Sequence, residues 1–193
     1  MSQFTIDDSW QKKIRDGLLK PFYQKFSHEG RFVFADKGAF AELIQKEMAV
    51  DTIAQGRENK VLAIEEKIVR WKGKRYTAYT LETMSCTVPG RERKGWMHYA
   101  KCDYILYCFE QEDHGVEAHL IPFPPLQKWF FECVGRFAST VTEQINKTEC
   151  KIVPIADVWA NVPGCKSYSI YRQANLIDIM VSLLPRPLGL RTK

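Results

Sequence analysis

No stretch of this chain approaches the roughly 20 consecutive apolar residues that cross a bilayer as a helix. No pair of cysteines stands at CxxC spacing. Cys86, Cys102, Cys108, Cys133, Cys150 and Cys165 are scattered, and His28, His98, His114 and His119 complete no zinc pattern. That excludes a finger-type zinc site and points to free thiols in a reducing compartment. The opening MSQFTIDDSW is polar and acidic, without the apolar run of a signal peptide. The expectation is therefore a cytoplasmic protein with no membrane contact. Internal repeats, low-complexity tracts and interdomain linkers are also lacking. A strong charge of one sign is missing too: the formal charge of +5 permits nucleic-acid binding without requiring it.

What is present suffices for one sizeable core: 193 residues, 45% hydrophobic and 12% aromatic. A single domain over 1–193 is expected, with its core at about 8–145 and an extension, 148–193, packed on it. Ser9 reads as the cap of a helix starting at Trp10, with a stripe of Trp10, Ile14, Leu18 and Leu19 that Pro21 disturbs. A short helix is expected from Gly38 to Lys46. Strands follow at Met48–Ala54, Val61–Trp71, Tyr76–Val88, Tyr104–Glu110 and Val116–Ile121, separated by polar or glycine-containing turns. Pro124 and Pro125 precede a predicted helix from about Leu126 to Ile145, whose aromatic first half reads as core. A strand near Lys151–Ile155, a helix near Ala174–Leu184 and an extended tail from Pro185 complete the reading. Helix, strand meander, helix implies an α/β or α+β fold, with a central mixed β-sheet of about five strands flanked by helices.

One strand carries an unusual load of charge. With period-two alternation, Glu65 and Lys67 share a face with Val61, Ala63, Val69 and Trp71, while Glu66 lies opposite with Leu62, Ile64 and Ile68. Charge in mid-strand needs a partner or a function. Folding the preceding hairpin symmetrically about Glu58 pairs residues whose numbers sum to 116, so Asp51 faces Glu65. Facing residues have Cβ atoms roughly 4.5–5.5 Å apart. Two such carboxylates repel unless a cation or a proton lies between them. Mg²⁺ commonly takes one or two carboxylates together with phosphate and water. Lys67, one pleat along, is placed to position a water or stabilise phosphate charge. A four-residue turn at Lys72–Arg75 would add Glu82 on the same face, and a three-residue turn would flip it away. Glu66 is read as the partner of a helix-borne Arg or Lys. The competing reading of the whole set is an ordinary cross-strand salt-bridge ladder.

Asp51, followed after thirteen residues by Glu65-Glu66-Lys67, resembles the restriction-endonuclease-like superfamily of PD-(D/E)xK nucleases. Within it, the likeness is to small phage and bacterial members that share Gln45-Lys46, Ala63-Ile64-Glu65-Glu66-Lys67, Leu81-Glu82-Thr83, Gly95-Trp96 and Lys101-Cys102-Asp103-Tyr104 in that order. It spans roughly residues 40–110, about a third of the chain. The pattern departs in one place, since Val50 stands where many members have proline. The resemblance implies a Mg²⁺-dependent DNA nuclease, with Mn²⁺ as a substitute ion. It makes Asp51 and Glu65 ligands, the backbone carbonyl of Glu66 a further ligand, Glu82 a conditional one, and Lys67 catalytic. Glu47 resembles an extra acidic residue that some members carry. Arg57, Lys60, Arg91, Arg93, Lys94 and Lys101 are candidates for contacting the DNA backbone, although short charge runs are usually solvated turns. Many relatives cut as dimers, so a homodimer is allowed. The rival reading is a protein that kept the fold and serves in nucleic-acid binding or phage assembly without catalysis.

Overall fold

Near the start of the chain, Ile14, Leu18, Leu19, Phe22 and Tyr23 repeat at helical spacing and are all buried. They belong to one long helix made of α1 (Gln3–Ile14), a π turn (Arg15–Leu19) and α2 (Lys20–Phe26). The helix therefore neither begins at a Ser9 cap nor stops at Pro21. Proline in a helix crowds the carbonyl four residues back, here Gly17, and offers it no hydrogen. The widened turn accommodates this, with the Lys20 N–H reaching the Arg15 carbonyl five residues back. The computed structural model describes residues 3–35, 41–56, 58, 60–142, 146–171 and 179–182.

The remaining elements are β1 (Phe32–Phe34), α3 (Ala41–Met48), β2 (Thr52–Gln55), β3 (Val61–Val69), β4 (Ala78–Cys86), β5 (Arg93–Lys94), α4 (Trp96–Tyr99), β6 (Tyr104–Glu110), β7 (Val116–Pro122), α5 (Phe123–Cys133), β8 (Ala138–Val141), β9 (Glu149–Pro154), α6 (Ile155–Asn161), β10 (Lys166–Ile170) and β11 (Ile179–Ser182). They form a mixed α/β fold with two sheets. A seven-stranded sheet has the order β1-β2-β3-β6-β7-β10-β11, and a four-stranded one has β5-β4-β9-β8. The β3–β6 pair is parallel, and β2–β3, β6–β7 and β7–β10 are antiparallel. The mixed sheet flanked by helices agrees with the expected class. It has more than the five strands read from sequence, and the second sheet was not foreseen.

Each face of the larger sheet is covered. The long helix packs on the side of Ile64, Leu106, Cys108, Ala118 and Leu120. The other side, with Ile105, Tyr107, Phe109 and Ile121, meets Tyr79, Leu81 and Val153 of the second sheet, Trp96 and Met97 of α4, and Leu126 and Phe130 of α5. Burial on both faces explains why β6 reads as a nearly continuous apolar run.

Four local expectations are corrected. Met48 closes α3 rather than opening a strand. The helix expected from about Leu126 to Ile145 is α5, which holds Pro124 and Pro125 in its first turn and ends at Cys133, and Ala138–Val141 is a strand with all four residues exposed. Phe130 and Phe137 are buried as expected of that aromatic stretch, but Phe131 is exposed. Ile179–Ser182 pairs with β10 as a strand, where a helix was expected. The rest of that predicted helix and the tail from Pro185 lie outside the described residues, as do Phe40 and Gly38. Among the described residues, no helix is long and apolar enough to cross a membrane, and all six cysteines are free.

Candidate active site

The hairpin of β2 and β3 pairs Thr52 with Ile64, Ile53 with Ala63, Ala54 with Leu62 and Gln55 with Val61. Each pair sums to 116, so the next partners in this register are Asp51 and Glu65. Asp51 sits where the ladder gives way to a bend. Its N–H donates to the Ile64 carbonyl at 2.9 Å, and its own carbonyl accepts from Ala35 N–H at 2.7 Å. The side chain turns back on β3, where Oδ2 accepts the Glu66 backbone N–H at 2.9 Å. The carboxylate thus lies at the end of the ladder, where its charge is close enough to disfavour that of Glu65.

Glu65 is buried, with its side chain 7% exposed. Burial disfavours its charge and Lys67 favours it, while the neighbouring Asp51 opposes it again; the balance pushes Glu65 up to about 7. Lys67 is ion-paired to Glu65, and its Nζ lies 5.0 Å from the centroid of the Trp96 ring. Burial pulls the Lys67 ammonium down, but Glu65 and Asp51 outweigh it and hold the ammonium above its ordinary range.

Glu66, on the opposite face, is the most sequestered of the three, 1% exposed. It accepts from Arg15 Nε at 3.0 Å, Tyr23 Oη at 2.9 Å and Thr52 Oγ1 at 2.6 Å. Burial raises its pKa against the pull of Arg15. A side chain held this way is not a ligand, so only the backbone of Glu66 remains available for that role.

These groups line a cleft of about 400 Å³. The larger sheet and its helix supply Arg15, Asp51, Glu65 and Lys67, and the second sheet supplies Thr80, Glu82 and Cys150. Glu82 therefore faces the cleft, although not by the expected hairpin. No β3–β4 pair exists: β3 takes β6 as its parallel neighbour, with Glu65 opposite Ile105. β4 instead joins β9, with Glu82 opposite Cys150. Burial raises Glu82, while Lys67 and a hydrogen bond from the Trp96 backbone N–H lower it. Cys150 is pushed up to about 11 by burial and Glu82, which leaves it a poor nucleophile.

None of the described basic candidates for DNA contact lines this cleft. Arg91, Arg93 and Lys94 are exposed on the segment leading through Gly95 to Trp96, a cleft residue. Lys60 and Lys101 are also exposed, Glu47 is exposed at the end of α3, and Arg57 lies outside the described residues. Asp103 Oδ2 accepts the Ala63 N–H at 2.8 Å and ties β3 to the start of β6. Trp96 is buried, so it is no platform for stacking bases.

Sequence reasoning missed Arg15, Thr80, Tyr107 and Cys150 as cleft residues. Arg15 had a detectable signal, since it stands three and four residues before Leu18 and Leu19 on the buried stripe of its helix. A charge on that stripe calls for a buried counter-charge.

Comparison with protein-family models, with curated proteins and with solved structures finds no match to this chain. Among the described residues, no group of three or more His, Cys, Asp or Glu side chains is arranged to enclose a metal ion. Asp51 and Glu65 nevertheless supply the one or two carboxylates that a hard cation of the Mg²⁺ type takes from a protein.

Proposed function

We propose that this protein is a metal-dependent nuclease that hydrolyses phosphodiester bonds in DNA, with Mg²⁺ held by Asp51 and Glu65. The observation that carries the reading is the charge of the cleft. Three carboxylates (Asp51, Glu65 and Glu82) line it against two cationic side chains, Arg15 and Lys67, and Arg15 is already shared with the buried Glu66. Without a cation the excess is relieved by a proton on Glu65, whose pKa of about 7 reflects burial, only partly offset by Lys67, with Asp51 adding to the rise. A divalent ion would take the place of that proton. When bound, it supplies positive charge to a phosphate and makes water acidic enough to serve as a nucleophile near neutral pH.

The chain's own residues supply the rest. Asp51 offers a carboxylate fixed on one side by the Glu66 N–H. The Glu66 backbone carbonyl and Glu82 are the conditional further ligands. Lys67, beside Glu65, orients the attacking water and opposes charge growing on the phosphate. Lys60, Arg91, Arg93, Lys94 and Lys101 contact the DNA backbone without reading sequence, so binding weakens with salt. A cytoplasmic setting suits the free thiols. A homodimer would bring two clefts to the two strands of a duplex.

The test is cleavage of supercoiled plasmid with Mg²⁺ or Mn²⁺, lost in EDTA and in Asp51→Asn, Glu65→Gln and Lys67→Met. A wild-type protein that cuts no DNA and binds no Mn²⁺ by calorimetry would sink the reading. A second reading draws on the ion pairs Lys67–Glu65 and Arg15–Asp51, which partly satisfy the carboxylates from within. It describes a nucleic-acid-binding or assembly protein without catalysis. Salt-sensitive DNA binding with no cleavage in any metal would select it.

A further inference from the structure

We infer that Arg15 is the positioning residue for the Asp51 carboxylate, an inference that rests on the metal-site reading above. Arg15 opens the π turn of the long helix, a geometry that recurs at functional sites. Its Nε donates to Glu66 Oε2 at 3.0 Å, and its Nη2 lies 3.6 Å from Asp51 Oδ1. The guanidinium carbon is 5.3 Å from the Phe34 ring centroid, which restrains the plane of the fork. The other Asp51 oxygen, Oδ2, takes the backbone N–H of Glu66.

Both oxygens of Asp51 are therefore set by neighbours that converge on Glu66. Glu66 is itself held by Tyr23 from the helix and Thr52 from β2. Only a planar fork spans two carboxylates in this way; a lysine carries the charge but has a single point of contact. Groups that orient a ligand carboxylate typically change metal affinity or activity by about 10- to 100-fold. A role confined to neutralising Glu66 would leave Asp51 indifferent to what stands at position 15.

The experiment uses the full chain without DNA. Mn²⁺ affinity is measured by calorimetry for wild type, Arg15→Gln, Arg15→Lys and Tyr23→Phe, each checked for folding by urea denaturation. Arg15→Gln is expected to bind Mn²⁺ at least about tenfold more weakly. Arg15→Lys should not restore binding. Tyr23→Phe loosens Glu66 without touching Asp51 and should bind as wild type. With plasmid present, Arg15→Gln should lower kcat and leave KM for DNA nearly unchanged. Wild-type affinity in Arg15→Gln, rescue by lysine, or an equal loss in Tyr23→Phe would each overturn the assignment while the nuclease reading stands. Should Arg15→Gln not fold, Arg15→Lys alone decides, with weakened Mn²⁺ binding expected and wild-type binding overturning. A wild type that binds no Mn²⁺ and cuts no DNA removes both.

Discussion

Truncating Glu66 to alanine tests how the long helix is fastened to the sheet. The carboxylate, 1% exposed, collects donors from three places: Arg15 in the π turn, Tyr23 in α2 and Thr52 in β2. After truncation the Arg15 head, 20% exposed, still reaches water. The hydroxyls of Tyr23 and Thr52 do not, since both residues are fully buried. Each buried hydroxyl left without its acceptor costs about 1–3 kcal/mol, so two give a loss of about 4 kcal/mol. That falls in the range of about 3–5 kcal/mol for breaking a buried ion pair from one side. Domains of this size are stable by only about 5–15 kcal/mol, so the variant should fold marginally. Urea denaturation followed by tryptophan fluorescence reads it as a lower midpoint with unchanged slope. Tyr23→Phe removes one donor and leaves the carboxylate two others, for a loss of about 1 kcal/mol. Combined, the two changes should fall short of additivity by about 3 kcal/mol, because the phenylalanine removes a hydroxyl that the truncation had orphaned and the Tyr23–Glu66 bond is lost in both single variants. A loss below about 1 kcal/mol for Glu66→Ala, or simple additivity of the pair, would refute the reasoning.

Three further outcomes are expected. In EDTA the native chain keeps the Glu65 proton up to about 7, whereas the unfolded chain releases it near 4.5. The native state then binds more protons across that window, so stability falls as pH rises through it, by at most about 3 kcal/mol. Glu65→Gln should flatten this slope in a urea series from pH 4.5 to 7.5, and an equally steep slope in the variant would contradict the assignment to Glu65. At Gly95 an added Cβ would lie 2.5 Å from the Glu82 carbonyl oxygen and 2.7 Å from its Cγ. Gly95→Ala should cost about 1–3 kcal/mol and disturb Glu82, read by calorimetry, with a neutral effect counting against the tight packing. Cys86, Cys102 and Cys108 are buried, and Cys150 and Cys165 are pushed up to about 11, mainly by burial. Ellman's reagent at pH near 8, below those values, should therefore label the native chain slowly and all six thiols quickly in urea. One fast native thiol would show a reactive cysteine that the structure does not account for.

The β2–β3 register was legible in the sequence because a hairpin is local: the polar turn around Glu58 and the alternation of β3 leave one symmetric pairing. The faces of Glu65, Glu66 and Lys67 followed from the same period of two. β6 was equally plain, since a strand covered on both sides is apolar along most of its length. The same local reasoning failed at β4. It brought Glu82 to Glu65 or flipped it away according to the length of a turn between β3 and β4, whereas β3 pairs in parallel with β6, a neighbour some forty residues away by way of Ile105. Glu82 faces Lys67 only because the second sheet packs over the first.

By itself, then, the sequence determined a charged strand, the acid set against it and the side on which each charge lies, because strand periodicity and a tight turn need nothing from the rest of the chain. Tertiary structure alone decided what those charges meet. Parallel pairing, sheet-on-sheet packing and the path of a helix through Pro21 depend on which distant apolar faces must be buried together. The Arg15 fork, the opposite wall of the cleft and the buried setting that raises Glu65 all follow from that burial.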